Sequence, residues 1–280
     1  MQPERRALAI GCPPHRWFPG CAQLFIGCKL YQWEALLAYF DSLLPSVRAQ
    51  MIHPTEDLSV GIRREGERLF HDATIRHRSW QSCASYRPDG RADGLSWDLL
   101  NDGIGNAKNT KSLLWSHRTP PAMSHGVRGT AEKAVRSGLR NILFALRPET
   151  EAAAIDEYLK DLRPVPSPYL AGGEPSESAQ RGRRLFEAAA VGCATCHPGP
   201  LFTDLKAYAV GTANHQDRPG QKFDTPTLVE CWRTAPYLHD GSAVTMREVL
   251  ATSNEGDRHG RMSHLTRQQL DDLAAYVLSL

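Results

Sequence analysis

The sequence predicts an all-α chain built of two tandem helical lobes, and three observations carry that prediction. A set of residues recurs at a constant offset of 115 positions, the segments flanking each copy place apolar residues at helical spacing, and no stretch of any length alternates apolar and polar residues as a half-buried strand would. Asn109-Thr110-Lys111-Ser112-Leu113-Leu114, Arg118-Thr119-Pro120-Pro121 and His125-Gly126 return as Asp224-Thr225-Pro226-Thr227-Leu228-Val229, Arg233-Thr234-Ala235-Pro236 and Asp240-Gly241. Upstream, Gly66-x-x-Leu69-Phe70 returns as Gly182-x-x-Leu185-Phe186, and downstream Tyr158-Leu159 returns as Tyr276-Val277.

In chain order, residues 1–55 match nothing in the repeat and stay unassigned. Their Cys12, His15, Cys21 and Cys28 have spacings that fit no common zinc finger. Residues 56–163 form the first copy, opened by a helix from Ser59 to Phe70. Residues 164–175 are a linker, because Pro164, Pro166, Pro168 and Pro175 with Gly172 and Gly173 stop helices and stiffen the chain. Residues 176–280 form the second copy, opened by a helix from Ala179 to Ala190 and closed by one from Thr266 to Leu278, where apolar residues recur at helical spacing.

Composition narrows the function classes. With 41% hydrophobic and 23% charged residues the chain reads as globular, and a net charge of +2 is no electrostatic footprint for nucleic acid. No stretch approaches the roughly 20 apolar residues of a membrane span, and Ala7 to Ile10 is too short for a secretory apolar region. Seven cysteines, an odd number at uneven spacing, do not make a simple disulfide framework.

Two of those cysteines sit in Gly192-Cys193-Ala194-Thr195-Cys196-His197-Pro198. In a Cys-x-x-Cys-His pentad, thiols three residues apart form thioethers to both vinyl groups of a haem, and the adjacent His reaches the iron as proximal ligand. A zinc site would need a second ligand pair of matching spacing, and a thioredoxin-type pair would need a βαβ context; neither is in the sequence. The first copy departs from this pattern at the same place. Ser82-Cys83-Ala84-Ser85-Tyr86-Arg87-Pro88 puts Tyr86 where the second Cys belongs and Arg87 where the His belongs. Arginine stays protonated and has no lone pair for iron, so one haem c is expected, not two.

Gly182-x-x-Leu185-Phe186, the pentad, Pro200-Leu-Phe-Thr-Asp204, Phe223-Asp-Thr-Pro-Thr-Leu228 and Thr234-Ala-Pro-Tyr-Leu-His-Asp-Gly241 together resemble the bacterial di-haem cytochrome c peroxidase and MauG-like family over about residues 56 to 280. The resemblance implies two cytochrome c-like lobes in a periplasmic or otherwise exported protein. It further implies that one haem gathers electrons from a small cytochrome or cupredoxin donor while the other meets peroxide. It also implies a distal iron ligand beyond the Thr234–Gly241 loop, where Met246, His259, Met262 and His264 are candidates. His259, in the polar glycine-bearing loop Asn254 to Gly260, ranks first and Met262 second. Tyr237 and His239 are expected to line the haem edge, and Cys231 to be a buried single thiol. Trp115 and Trp232, near counterparts in the repeat, are expected in the core. An interlobe calcium would fall at Asn109, Thr234 and Pro236, through neutral oxygens without a carboxylate cage. The expected function is one-electron transfer, with peroxide reduction if the family's chemistry survives the loss of one site. The alternative is a non-redox scaffold, which would be colourless when purified from a host that matures haem proteins.

Overall fold

The structure, a computed structural model, describes residues 61–99 and 104–280. Residues 1–55, with Cys12, His15, Cys21 and Cys28, lie outside the described residues, as does the start of the expected first helix. The described chain is rich in helix and gathers around two hydrophobic cores, one per repeat.

Each core is organised by two helices that cross at a glycine. In the first repeat α1 (Ile62–His71) meets α4 (Glu149–Lys160), and a Cβ on Gly66 would stand 1.7 Å from the carbonyl oxygen of Ala154. In the second, α5 (Glu177–Glu187) meets α8 (Arg267–Leu278), and a Cβ on Gly182 would stand 1.9 Å from the carbonyl oxygen of Asp272. Both obstacles are backbone, so no rotamer change could relieve them and only glycine fits. Below the first crossing Leu69, Phe70, Ile155 and Leu159 are fully buried. Below the second, the Phe186 ring meets Tyr276 edge-on at 5.2 Å, with Leu273 and Val277 beside them. The Asp272 carboxylate closes the second crossing, accepting from Arg181 Nε and Nη2 at 2.8 Å each and from Ser178 Oγ at 2.6 Å. The Arg181 guanidinium holds it well below the usual carboxylate range.

Capping explains the helix starts. Ser176 accepts from the Ala179 amide, and Thr266 forms a capping box with Gln269. The sequence predicts α5 out to Ala190, but the helix ends at Glu187, because Ala188 is extended and the chain turns to bury Val191 beneath the pentad. Alanine's helix propensity yields to that packing. The short helices α2 (Cys83–Tyr86), α3 (Ala131–Ser137), α6 (Cys193–Cys196) and α7 (Met246–Leu250) complete the set used below.

The expectation of helices alone needs correction. Three antiparallel ribbons of two-residue strands are present: β1 (Ser96–Trp97) with β2 (Lys108–Asn109), β3 (Leu170–Ala171) with β4 (Glu174–Pro175), and β5 (Ala207–Tyr208) with β6 (Phe223–Asp224). Two residues cannot display an alternating pattern, so periodicity could not reveal them. Strand β2 maps onto β6 at the repeat offset, and the isolated bridge Ala122–Arg128 maps in the same way onto Tyr237–Ala243. In the linker, Gly172 and Gly173 take φ of 65° and 87°, making the two-residue turn of the β3–β4 hairpin.

A buried ion pair ties the repeats together. Arg91 Nε and Nη2 donate to the two carboxylate oxygens of Glu230 at 2.8 and 2.9 Å, with side chains 5% and 1% exposed. Arg91 also donates to the Arg163 carbonyl at 2.7 Å, and the Val165 amide donates to Glu230, so the linker joins the same knot. Removing one partner leaves a buried uncompensated charge. Glu230→Ala should therefore cost about 3–5 kcal/mol in urea unfolding, and replacing both partners together as Arg91→Met with Glu230→Leu should recover most of that loss.

Candidate haem centre

The pentad folds as one helical turn. Gly192 enters it in the left-handed region at φ 87°, α6 carries Cys193 to Cys196, and the His197 amide closes the turn on the Cys193 carbonyl at 2.9 Å. His197 Nδ1 lies 2.9 Å from the Phe202 carbonyl oxygen. A carbonyl only accepts, so Nδ1 carries the proton and Nε2 keeps its lone pair, the tautomer an iron-binding histidine needs. Burial lowers the pKa of this imidazole and keeps it neutral. Cys193 and Cys196 form no disulfide, and burial raises both thiols, Cys193 to about 12. A redox-active Cys-x-x-Cys pair lowers a thiol pKa, so the environment here is the opposite of that class.

Facing His197 is His259, the rings tilted by 46° with centroids 6.5 Å apart. His197 and His259 are the two imidazoles that would hold a haem iron here. The sequence ranks His259 first among distal candidates, and its ring is the one brought to face His197. Burial, with the neighbouring His197, pushes His259 down to about 4, so it too is neutral at ordinary pH. Its loop is pinned internally. Asn254 Oδ1 accepts from the His259 amide at 2.8 Å while Asn254 Nδ2 donates to the Gly260 carbonyl, and Asp257 Oδ1 accepts from the Met262 amide at 2.9 Å. The Arg261 amide then bonds the Val191 carbonyl, docking the loop beside the pentad. Met262 and Met246 are buried in the second core, and His264 is exposed. Two thiols on one turn and two neutral imidazoles across a gap are a donor set suited to haem c.

The first repeat copies the turn but not the donors. Its α2 carries Cys83 to Tyr86, and the Arg87 amide bonds the Cys83 carbonyl at 3.1 Å, as His197 does in the second. Burial raises the Cys83 thiol to about 11. One thiol and a guanidinium do not fit a covalently attached, axially ligated haem.

The other sequence candidates are placed as follows. His239 is buried and bonds the Asp217 carboxylate through Nε2 at 2.7 Å, while Phe223 stacks on it at 4.0 Å. Burial opposes ionisation of Asp217, but hydrogen bonds from Asn106 and the Asn214 amide, with His239 and Lys108 nearby, hold it well below the carboxylate range. Tyr237 packs against the second core. Cys231 is a buried thiol donating to the Val277 carbonyl at 3.1 Å. Trp232 is partly buried, and its Nε1 has no partner among the described residues. Trp115 is partly buried too, with the Arg118 guanidinium 5.1 Å from its ring. Asn109 reaches the Pro236 and Leu238 carbonyls, whereas the Thr234 hydroxyl turns away to the Cys231 carbonyl. Among the described residues no group of three or more His, Cys, Asp or Glu converges on a bare ion.

Sequence reasoning missed Phe202 as the anchor of His197 and Asn254 as the pin of His259. Phe202 acts through its carbonyl, which no residue pattern reports, and Asn254 looks like any polar loop residue. Asn254→Ala should remove both side-chain bonds that frame the loop. Amide exchange at residues 259–262 should accelerate about tenfold or more, corresponding to about 1–3 kcal/mol of lost local stability, while α8 stays protected.

Comparison with known proteins bears on the whole chain. Residues 179–280 match the Cytochrome c family model. Hydrazine synthase subunit gamma of Kuenenia stuttgartiensis is 30% identical, over 89% of this chain and 85% of the relative. Cytochrome-c peroxidase IdrP1 of Denitromonas iodatirespirans is 28% identical, over 63% of this chain and 67% of the relative. A solved structure of Kuenenia stuttgartiensis hydrazine synthase superimposes with a TM-score of 0.73 at 25% identity, covering 99% of this chain and 100% of that one. With the repeat, the pentad turn and the facing histidines, these similarities make the chain a member of the di-haem cytochrome c peroxidase and MauG-like family of c-type cytochromes.

Proposed function

We propose that the chain is a mono-haem electron-transfer member of this family. In this reading Cys193 and Cys196 hold haem c through thioethers, His197 is the proximal ligand and His259 the distal one. The observation that carries the reading is the pair of neutral, part-buried imidazoles whose ring centroids lie 6.5 Å apart beside a Cys-x-x-Cys-His turn. Bound there, haem c supplies a one-electron couple. The protein's part is to fix both rings, through Phe202 and Asn254, and to desolvate them so that neither gains a proton. With His259 in the distal position no open face is left for peroxide, and Arg87 denies the first repeat a ligand, so peroxide reduction is slow or absent. The similarity to a hydrazine synthase subunit supports a role inside a redox assembly. There the chain exchanges single electrons with a cytochrome or cupredoxin donor in an exported compartment. No helix among the described residues is long and apolar enough to cross a membrane. Calcium is not part of this reading, since the Thr234 hydroxyl donates to the Cys231 carbonyl while Asn109 reaches the Pro236 carbonyl.

Optical spectra test the ligands. Wild type should be six-coordinate and low-spin in both oxidation states, and its dithionite-reduced form should not bind carbon monoxide. His259→Ala should become high-spin and bind carbon monoxide. Met262→Ala should keep the wild-type spectrum while losing about 2–5 kcal/mol of stability as a core truncation. An unchanged spectrum in His259→Ala, or a red-edge charge-transfer band that disappears in Met262→Ala, would overturn the assignment. A colourless wild-type protein would favour the scaffold.

A further inference from the structure

The first repeat keeps a cavity where its chemistry has been lost. It has a volume of about 370 Å³, with Leu113, Leu139, Ile155 and Leu159 on its apolar side and Ser112, Thr119, Ser137 and Asn141 among its polar lining. That volume is in the lower part of the range of small-molecule sites, roughly 300–1,000 Å³. Arg87 forms part of the wall, is only 8% exposed, and has an Nη1 with no hydrogen-bond partner among the described residues. The other lining cations are Lys111, which is paired with Asp224, and Arg128, which donates to Ser137 and to the Val127 carbonyl. Among the described residues neither Asp nor Glu lines the cavity.

A second guanidinium lies behind the same wall. Arg76 is buried, lies over the Trp80 ring at 3.3 Å, donates Nη2 to the carbonyl of the lining residue Ile142 at 2.8 Å, and has no hydrogen-bond partner for Nε or Nη1 among the described residues. Trp80 compensates Arg76 in part, whereas Arg87 has no carboxylate partner among the described residues, and burying a charge without one costs several kcal/mol.

We propose that this cavity binds a medium-chain organic carboxylate, with the carboxylate on Arg87 and the hydrocarbon body among the aliphatic side chains behind it. A carboxylate matches the guanidinium fork in two parallel hydrogen bonds, supplying the counter-charge that the wall lacks. A ten-carbon acid, with twelve non-hydrogen atoms, is a small probe suited to a site of this size. The substitution of Arg87 for the histidine expected at this position thereby turns a cofactor pocket into an anion site.

Isothermal titration of the full, haem-matured chain with decanoate tests this. Decanoate should bind one per chain, and decan-1-ol, with the same chain and no charge, at least tenfold more weakly. Arg87→Gln should weaken decanoate at least tenfold. Leu139→Trp, which fills the cavity and leaves Arg87 in place, should abolish binding. Absence of decanoate binding, equal binding of the alcohol, or full binding in Leu139→Trp would overturn the proposal. So would haem that acid-butanone extracts from the purified chain, because the cavity would then hold a non-covalent haem. Should Arg87→Gln fail to fold, the alcohol comparison and Leu139→Trp decide between these results on their own.

Discussion

Each half of the molecule depends on two helices meeting backbone to backbone at a glycine. Gly182 lets α5 lie against the carbonyl of Asp272, and that contact sets where Phe186 and Val191 are buried, and hence where the pentad turn begins. Gly66 does the same against Ala154 in the first half, with Leu69 and Phe70 sealed beneath it. The two halves share this constraint although they no longer share a chemistry. Packing is set by α1, α4, α5 and α8, whereas donor atoms are set by five residues on a short turn, so the turn can change without unseating the core. The Arg87 amide still closes its turn on Cys83, as the His197 amide does on Cys193.

Electrostatics then separates the halves. In the second, burial works in favour of the proposed role, because a desolvated imidazole stays neutral and a neutral imidazole is a ligand. The Phe202 carbonyl adds the tautomer, and Asn254 and Asp257 stiffen a loop that could otherwise swing His259 away. In the first, burial works against the residue present, because a guanidinium cannot shed its proton and must find a counter-charge. In the two proposals, the same kind of pocket serves iron ligation in one copy and anion binding in the other.

Much of this was legible in the sequence. The repeat offset revealed that the architecture is doubled, because equivalent residues perform equivalent packing, down to the paired bridges Ala122–Arg128 and Tyr237–Ala243. The closing helix was readable from its apolar spacing. The two-residue ribbons were not readable, because a period needs length to show. Nor was the Arg91–Glu230 pair, whose partners lie in different repeats and carry no pattern in either. The early end of α5 was hidden because alanines 188–190 favour helix locally, and only the burial of Val191 overrides them. The roles of Phe202 and Asp217 depend on a carbonyl direction and on neighbours from distant loops, which spacing does not encode.

The central claim is that one repeat of this chain holds a covalent haem and the other does not. A pyridine haemochrome assay, read with the intact mass of protein matured in a c-type cytochrome host, tests it most directly. The expected result is one haem per chain, with the added mass on the peptide containing Cys193 and Cys196. Two haems per chain, or a haem attached at Cys83, would contradict it.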